Sequence, residues 1–281
     1  MELSKVIKLS LFFLITLYLA MSPPIASYFC EFLPDKCSAD KYSKPDGAVE
    51  AWITASNGAK LHSWYFPGVS KYAVIIHHGQ GGNIGLPAYL ETAKVFVDAG
   101  ASVLLYDYEG YGASEGSPSN RALHRDAEAA YHYLVSKYKV RPSRTIHCGI
   151  SLGTGAASHV ASTKLCGGVI LLTPYMSLTR VAKTYLPYLK MYPDWTFPQP
   201  DLGSKCLVGQ SIPALIVHGS QDPFIPFAES VELKKLRKAP TTLIKVPGPY
   251  HIGTLSGDQS VELVRDFFNG ISAHESKGSE K

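Results

Sequence analysis

The strongest chemical signal in the chain is the run Gly149-Ile150-Ser151-Leu152-Gly153. It follows a strand-like stretch, residues 144–148, and precedes a run of small residues, 154–160, that reads as a helix. A serine with a glycine two positions to each side, at a strand-to-helix junction, is the pattern of a nucleophile elbow. The sharp turn holds the hydroxyl exposed, and the glycines keep side chains from colliding with the strand or the helix. So short a pattern also arises by chance, and its companions in the chain decide whether it matters.

A serine hydroxyl becomes a useful nucleophile when a base takes its proton. The usual base is a histidine oriented by a carboxylate. Residues 212–218 read as a buried strand that runs into Gly219-Ser220-Gln221-Asp222-Pro223. Asp222 thus stands just past a strand's C-terminal end, where open α/β sheets place their chemistry. A helix (227–238), a strand (241–246) and the loop Pro247-Gly248-Pro249-Tyr250-His251 come next. Taken singly, Asp222 is an ordinary turn residue, and His251 is one of 10 histidines. Their joint position at the ends of consecutive strands, both after Ser151, makes Ser151, Asp222 and His251 the expected nucleophile, acid and base. Asp194 and Asp201 fall in an irregular Pro-rich segment, and Asp258 follows the histidine, so they compete poorly for the acid's role.

The developing oxyanion needs two backbone N–H donors. Leu152, the residue after the nucleophile, is the first. The second is expected from the Gly-rich turn His78-Gly79-Gln80-Gly81-Gly82-Asn83, which follows a strand at 72–77; Gln80 is the candidate. This turn lacks the GK[ST] ending and the GxGxxG spacing of phosphate-binding loops. His78 reads as a residue that orients the turn rather than a second base. Asp107, at the end of strand 102–106, reads as a loop-bonding residue. His77, His78, His124 and His132 form no metal motif.

These groups must be positioned by an α/β architecture. Short apolar strands alternate with helical stretches from residue 72 onward, which predicts a mostly parallel central sheet flanked by helices. Ser119 is placed to cap a helix over 120–137. The segment 174–211 is rich in aromatic residues and is expected to form a short cap insert. Tyr175, Met176, Tyr185 and Trp195 are its candidate substrate-binding residues, because ligand pockets are mostly apolar. The alternative is that these aromatics pack against the sheet.

Five motifs carry a family resemblance: HHGQGGNIG at 77–85, YDYEGYGASEGSPS at 106–119, GISLGTGAA at 149–157, HGSQDPFIP at 218–226 and PYH at 249–251. With them the chain resembles an α/β-hydrolase superfamily serine hydrolase, most of all the membrane-associated group of protein depalmitoylases and esterase-like proteins. The resemblance covers about residues 48–270. It implies Ser151 as nucleophile, Asp222 as acid, His251 as base, and Gln80 and Leu152 as oxyanion donors. It also implies hydrolysis of carboxylic esters or thioesters through an acyl-enzyme, on lipid or acylated-protein substrates, with no metal or organic cofactor. Smaller esters come second, and a peptidase-like hydrolase is a further alternative. The rival from another class is a catalytically silent binding or scaffold protein. Gln80-Gly81 stands where the family usually has Asn-Ala, and the depalmitoylases' cysteine-rich N-terminus is absent. Haloalkane dehalogenases and epoxide hydrolases need a carboxylate at the elbow, where this chain has Ser151.

With 281 residues, 46% of them hydrophobic and 18% charged, the chain suits one α/β domain at 48–270 with a short N-terminal appendage. A net charge of +4, spread without a dense basic stripe, argues against nucleic acid as a partner. Lys5 and Lys8 precede an apolar run at 9–21, followed by Pro23-Pro24. Residues 1–29 read as a signal peptide or a signal-anchor, so the protein is expected to be membrane-anchored or secreted. If the segment is an anchor, its flanking lysines put the N-terminus in the cytoplasm and the main domain on the far side. Residues 30–47 are expected to be a linker and 271–281 a disordered tail. Cys30 and Cys37 are spaced so that they could bridge, Cys148 and Cys166 read as core residues, and an odd count leaves at least one thiol unpaired.

Overall fold

Five strands owe their place to near-continuous apolar runs: β4 (Ala73–His77), β6 (Ser102–Tyr106), β7 (Thr145–Ile150), β8 (Gly168–Leu172) and β9 (Ala214–Gly219). Every residue in them is buried, as strands covered on both faces require. The computed structural model describes residues 10–12, 22, 32–197 and 203–278. The sheet has eight strands in the order β10-β9-β8-β7-β4-β6-β3-β2, with β10 at Thr241–Val246, β3 at Lys60–Phe66 and β2 at Val49–Thr54. From β6 to β10 all neighbours are parallel; β3 is antiparallel to both β6 and β2. The parallel part is the sheet the sequence predicts. The antiparallel hairpin β2–β3 is an addition to it, turning at Asn57-Gly58, where Gly58 takes φ +92°.

Helices cover both faces. α1 (Pro87–Asp98) and α6 (Gly257–Gly278) pack Phe96, Val264 and Phe268 against Val74, Ile76, Val103 and Leu105. On the other face, α2 (Asn120–Lys137) and α3 (Gly153–Thr163) pack Leu123, Leu134, Ala156 and Val160 against Ala73, Ile75 and Leu104. Adjacent residues of β4 and β6 thus feed opposite cores, the period of two that strands impose. Ser119 caps α2 by accepting from the Ala122 amide at 3.0 Å, as the sequence suggests. Cys148 and Cys166 are buried, and burial pushes the Cys166 thiol up to about 12.

Two expectations about the chain ends need correction. The linker over 30–47 is, in its described part, a strap bound to the domain. Its β1 (Leu33–Pro34) pairs with β5 (Gly81–Gly82), and the Tyr42 hydroxyl donates to Asp107 at 3.1 Å. Its polar and Pro-rich composition hid backbone pairing, which composition does not report. The tail expected from 271 onward begins as helix: α6 runs to Gly278, and Ile271 is buried against the sheet's core. Ile271 continues the apolar stripe of Val261, Val264 and Phe268 at helical spacing. The apolar run 9–21 and Cys30 lie almost wholly outside the described residues. Among those described, no helix is long and apolar enough to cross a membrane.

Candidate functional site

The elbow forms because two close approaches forbid a side chain. A Cβ on Gly149 would come within 2.5 Å of Thr154 Cα, and one on Gly153 within 1.9 Å of the His77 carbonyl oxygen. Between them Ser151 adopts φ +51°, a left-handed conformation that costs a non-glycine residue about 1–3 kcal/mol. The surroundings hold it there. Its amide donates to the Leu172 carbonyl at 2.9 Å, and its own carbonyl accepts from the Thr154 amide and hydroxyl at 2.9 and 2.7 Å.

The ends of β9 and β10 deliver the partners. His251 Nε2 lies 2.8 Å from Ser151 Oγ, and His251 Nδ1 lies 2.8 and 3.0 Å from the two oxygens of Asp222. With Nδ1 protonated, Nε2 is free to accept the serine proton. Asp222 Oδ1 also accepts the amides of Phe224 and Ile225 at 2.7 and 2.9 Å. Burial alone would raise this carboxyl. Hydrogen bonds from His218, His251 and the Ile225 amide outweigh it and hold the group well below the usual carboxylate range.

Other residues brace these two loops, and sequence reasoning missed them. His218 is buried, donates from Nε2 to the Ile225 carbonyl at 2.9 Å, and accepts at Nδ1 from Ser230 of α5 (Ala228–Leu236) at 2.6 Å. Thr173 donates to the His251 carbonyl at 3.1 Å. Gly219 lets the loop bearing His251 approach, since a Cβ there would sit 2.1 Å from the Tyr250 carbonyl oxygen.

The Gly-rich turn lies opposite Ser151. Gln80 and Leu152, the two expected oxyanion donors, both line the cavity that holds Ser151. Three tyrosines engage the turn's carbonyls. Tyr108 donates to His78, Tyr111 to Gln80 and Tyr89 to Gly81, at 3.2, 2.8 and 2.9 Å. The spacing of Tyr108 and Tyr111 within the 106–119 motif was the signal available for this role. His78 is buried beneath the turn, and burial lowers its ring below the usual histidine range against the pull of Asp107. Asp107 Oδ1 accepts the Ile84 amide at 2.9 Å. Both therefore hold the loop, as their sequence context suggests.

A cavity of about 520 Å³ opens over Ser151, with Gln80, Leu152 and His251 in its lining. α4 (Leu178–Tyr185) presents Leu178, Val181, Ala182 and Tyr185 to it, one helical face at i, i+3, i+4 and i+7. Leu186, Leu189, Phe197, Phe224 and Ile252 extend the apolar wall. Tyr175 and Tyr185, two of the four expected substrate-binding residues, line it; the other two do not. Met176 is buried among Ala157, Leu171 and Leu233, because its amide is anchored by Glu229 at 2.9 Å. Trp195 is 80% exposed, on the outer side of the one-turn segment Asp194–Thr196. Large apolar side chains in a short cap face either the cavity, a small core of Leu189, Tyr192 and Phe197, or solvent, and residue type alone does not separate them.

A mostly parallel sheet, with a serine elbow after one strand and an acid and a histidine after two later ones, defines a class. The chain belongs to the α/β-hydrolase superfamily. A family model described as Serine aminopeptidase, S33, matches residues 68–207. An uncharacterized protein of Mycobacterium tuberculosis is 30% identical over 220 residues, 76% of this chain and 77% of that protein. The human alpha/beta hydrolase domain-containing protein 17B is 28% identical over 257 residues, 89% of this chain and 85% of that protein. Among solved structures, esterase Pf2001 of Pyrococcus furiosus superposes with a TM-score of 0.69 at 19% identity, over 86% of this chain and 97% of that one, which shows the shared fold. The similarity to the 17B protein is consistent with the depalmitoylase-like group that the motifs resemble.

Proposed function

We propose that this hydrolase is a serine esterase or thioesterase that cleaves acyl substrates presented at a membrane. The observation that carries the reading is the Ser151–His251–Asp222 hydrogen-bond chain, at the foot of a cavity with an apolar wall. His251 takes the Ser151 proton as Oγ attacks the carbonyl carbon. The Gln80 and Leu152 amides receive the oxyanion, and Asp222 stabilises the imidazolium. The intermediate collapses, the leaving alcohol or thiol takes the proton from His251, and water then cleaves the acyl-enzyme by the same steps. The apolar wall supports an acyl chain as the group held, and the apolar run at 9–21 supports a membrane address, by retained anchor or export.

A peptidase reading has one observation behind it, the description of the matched family model. An aminopeptidase must hold its substrate's ammonium group, and the described cavity lining contains no Asp or Glu. The test is hydrolysis of p-nitrophenyl esters from acetyl to palmitoyl beside amino-acid p-nitroanilides. Each added CH₂ buried on the wall is worth about 0.8 kcal/mol, so kcat/KM is expected to rise about fourfold per carbon until the cavity is full. Preference for acetyl, or faster turnover of the anilides, overturns the acyl reading.

A further inference from the structure

Exposed apolar side chains lie at the cavity lining and beside it in the chain: Tyr250 adjoins His251, and Met191 and Trp195 stand two residues from the cavity-lining Leu189 and Phe197. Tyr185, Met191, Trp195, Phe224, Tyr250 and Ile252 are all exposed, between 40% and 80%. Three of them, Tyr185, Phe224 and Ile252, also line the cavity, so the exposed rim continues its apolar wall outward. A patch of this kind marks a surface that meets an apolar partner.

The path of the N-terminal strap says which partner. Leu33 in β1 is itself 55% exposed and pairs with Gly81, a residue of the cavity lining. Its amide donates to the Gln80 carbonyl at 2.9 Å. The chain therefore enters the domain at the edge of the site. The apolar run at 9–21 ends at Met21, eleven residues before Phe32. At 3.3–3.6 Å per residue, eleven residues span at most about 40 Å. Any bilayer that holds residues 9–21 thus lies within that reach of the cavity mouth.

We propose that this rim docks on the lipid bilayer that residues 9–21 enter, with Trp195 and Met191 in the interface and the cavity mouth open to the acyl region. Trp and Tyr side chains favour that depth, where an apolar body meets polar headgroups. The inference rests on the proposed membrane address, and its test reads depth instead of turnover.

The chain has 3 tryptophans. Trp64 is buried; Trp52 lies on the edge strand β2, in a separate groove with Arg121 and His132; Trp195 is exposed in the cap, two residues from the cavity-lining Phe197. The full-length chain is made by cell-free synthesis into phosphatidylcholine–phosphatidylglycerol vesicles, with and without bromine on the acyl chains. Brominated lipid is expected to quench tryptophan emission. W195F should abolish most of that quenching and W52F should leave it in place. Because Trp195 is exposed, its replacement does not threaten the fold. Quenching equal in W195F and wild type, no quenching of vesicle-bound protein, or failure to associate with vesicles each overturns the proposal. An ester-cleaving protein that fails this test would keep the proposed chemistry and lose the proposed docking.

Discussion

Replacing Asp222 with asparagine changes one atom, and the geometry dictates which way the new amide points. Oδ1 accepts two backbone amides, from Phe224 and Ile225, at 2.7 and 2.9 Å. An NH₂ group there would leave both donors unsatisfied, at about 1–3 kcal/mol each. Placing the NH₂ at Oδ2, 2.8 Å from His251 Nδ1, gives up only the single longer contact with His218 Nε2 at 3.4 Å, so the amide oxygen keeps the Oδ1 position. Nδ1 must now accept, so the proton moves to Nε2, which faces Ser151 Oγ at 2.8 Å. A base that already carries a proton cannot take another, and the imidazolium has lost its counter-charge. The expected loss in kcat is about 10⁴-fold, or about 5.4 kcal/mol of barrier. The assay is steady-state hydrolysis of a p-nitrophenyl ester, beside a thermal melt that confirms folding of this isosteric variant. A folded Asp222→Asn protein whose kcat falls less than tenfold would refute the tautomer argument.

Two further predictions concern the loop and the core. Tyr111→Phe removes the hydroxyl that holds the Gln80 carbonyl at 2.8 Å. It should lower kcat about tenfold or more with KM little changed, since the oxyanion donor acts in the transition state; an equal effect on KM alone would contradict that role. His77 and His147 are fully buried, and burial lowers both rings, His147 to about 3. Their folded values lie below the unfolded value of about 6.5, so their contribution is complete above that pH and is lost as pH falls, by up to about 1.4 kcal/mol per pH unit for each ring. The lowered Asp222 carboxyl adds its own loss below the unfolded carboxylate value of about 3.9. Thermal melts should show Tm level near pH 7–8 and falling steadily from about pH 6 to 4; a flat Tm across that window would contradict the neutral buried rings.

Much of this was legible in the residues themselves. The elbow could be read because Gly149 and Gly153 mark close backbone approaches that only glycine permits. Asp222 and His251 stood after strands whose apolar runs were plain, so the structure's bringing them to Ser151 follows from the order of the elements. Ser119 announced its helix by a local rule. What stayed hidden depends on contacts between distant segments. The strap's pairing of Leu33 with Gly81 is backbone chemistry that composition does not encode. The hydroxyls of Tyr89, Tyr108 and Tyr111 reach the turn's carbonyls only once the fold is formed. Trp195 and Met176 looked like Tyr175 and Tyr185 in sequence, yet one points to solvent and the other into the core. The helical face of Leu178, Val181, Ala182 and Tyr185 was present in the spacing, but which face meets the site is settled by packing.

The central claim is that Ser151 is an activated nucleophile, and covalent labelling tests it without knowledge of the substrate. Wild-type protein and Ser151→Ala are treated with a fluorophosphonate probe, and the modified peptide is mapped by mass spectrometry. The account predicts stoichiometric labelling at Ser151 and none in the variant. Folded wild-type protein that resists the probe, or that carries the label on another residue, would contradict it.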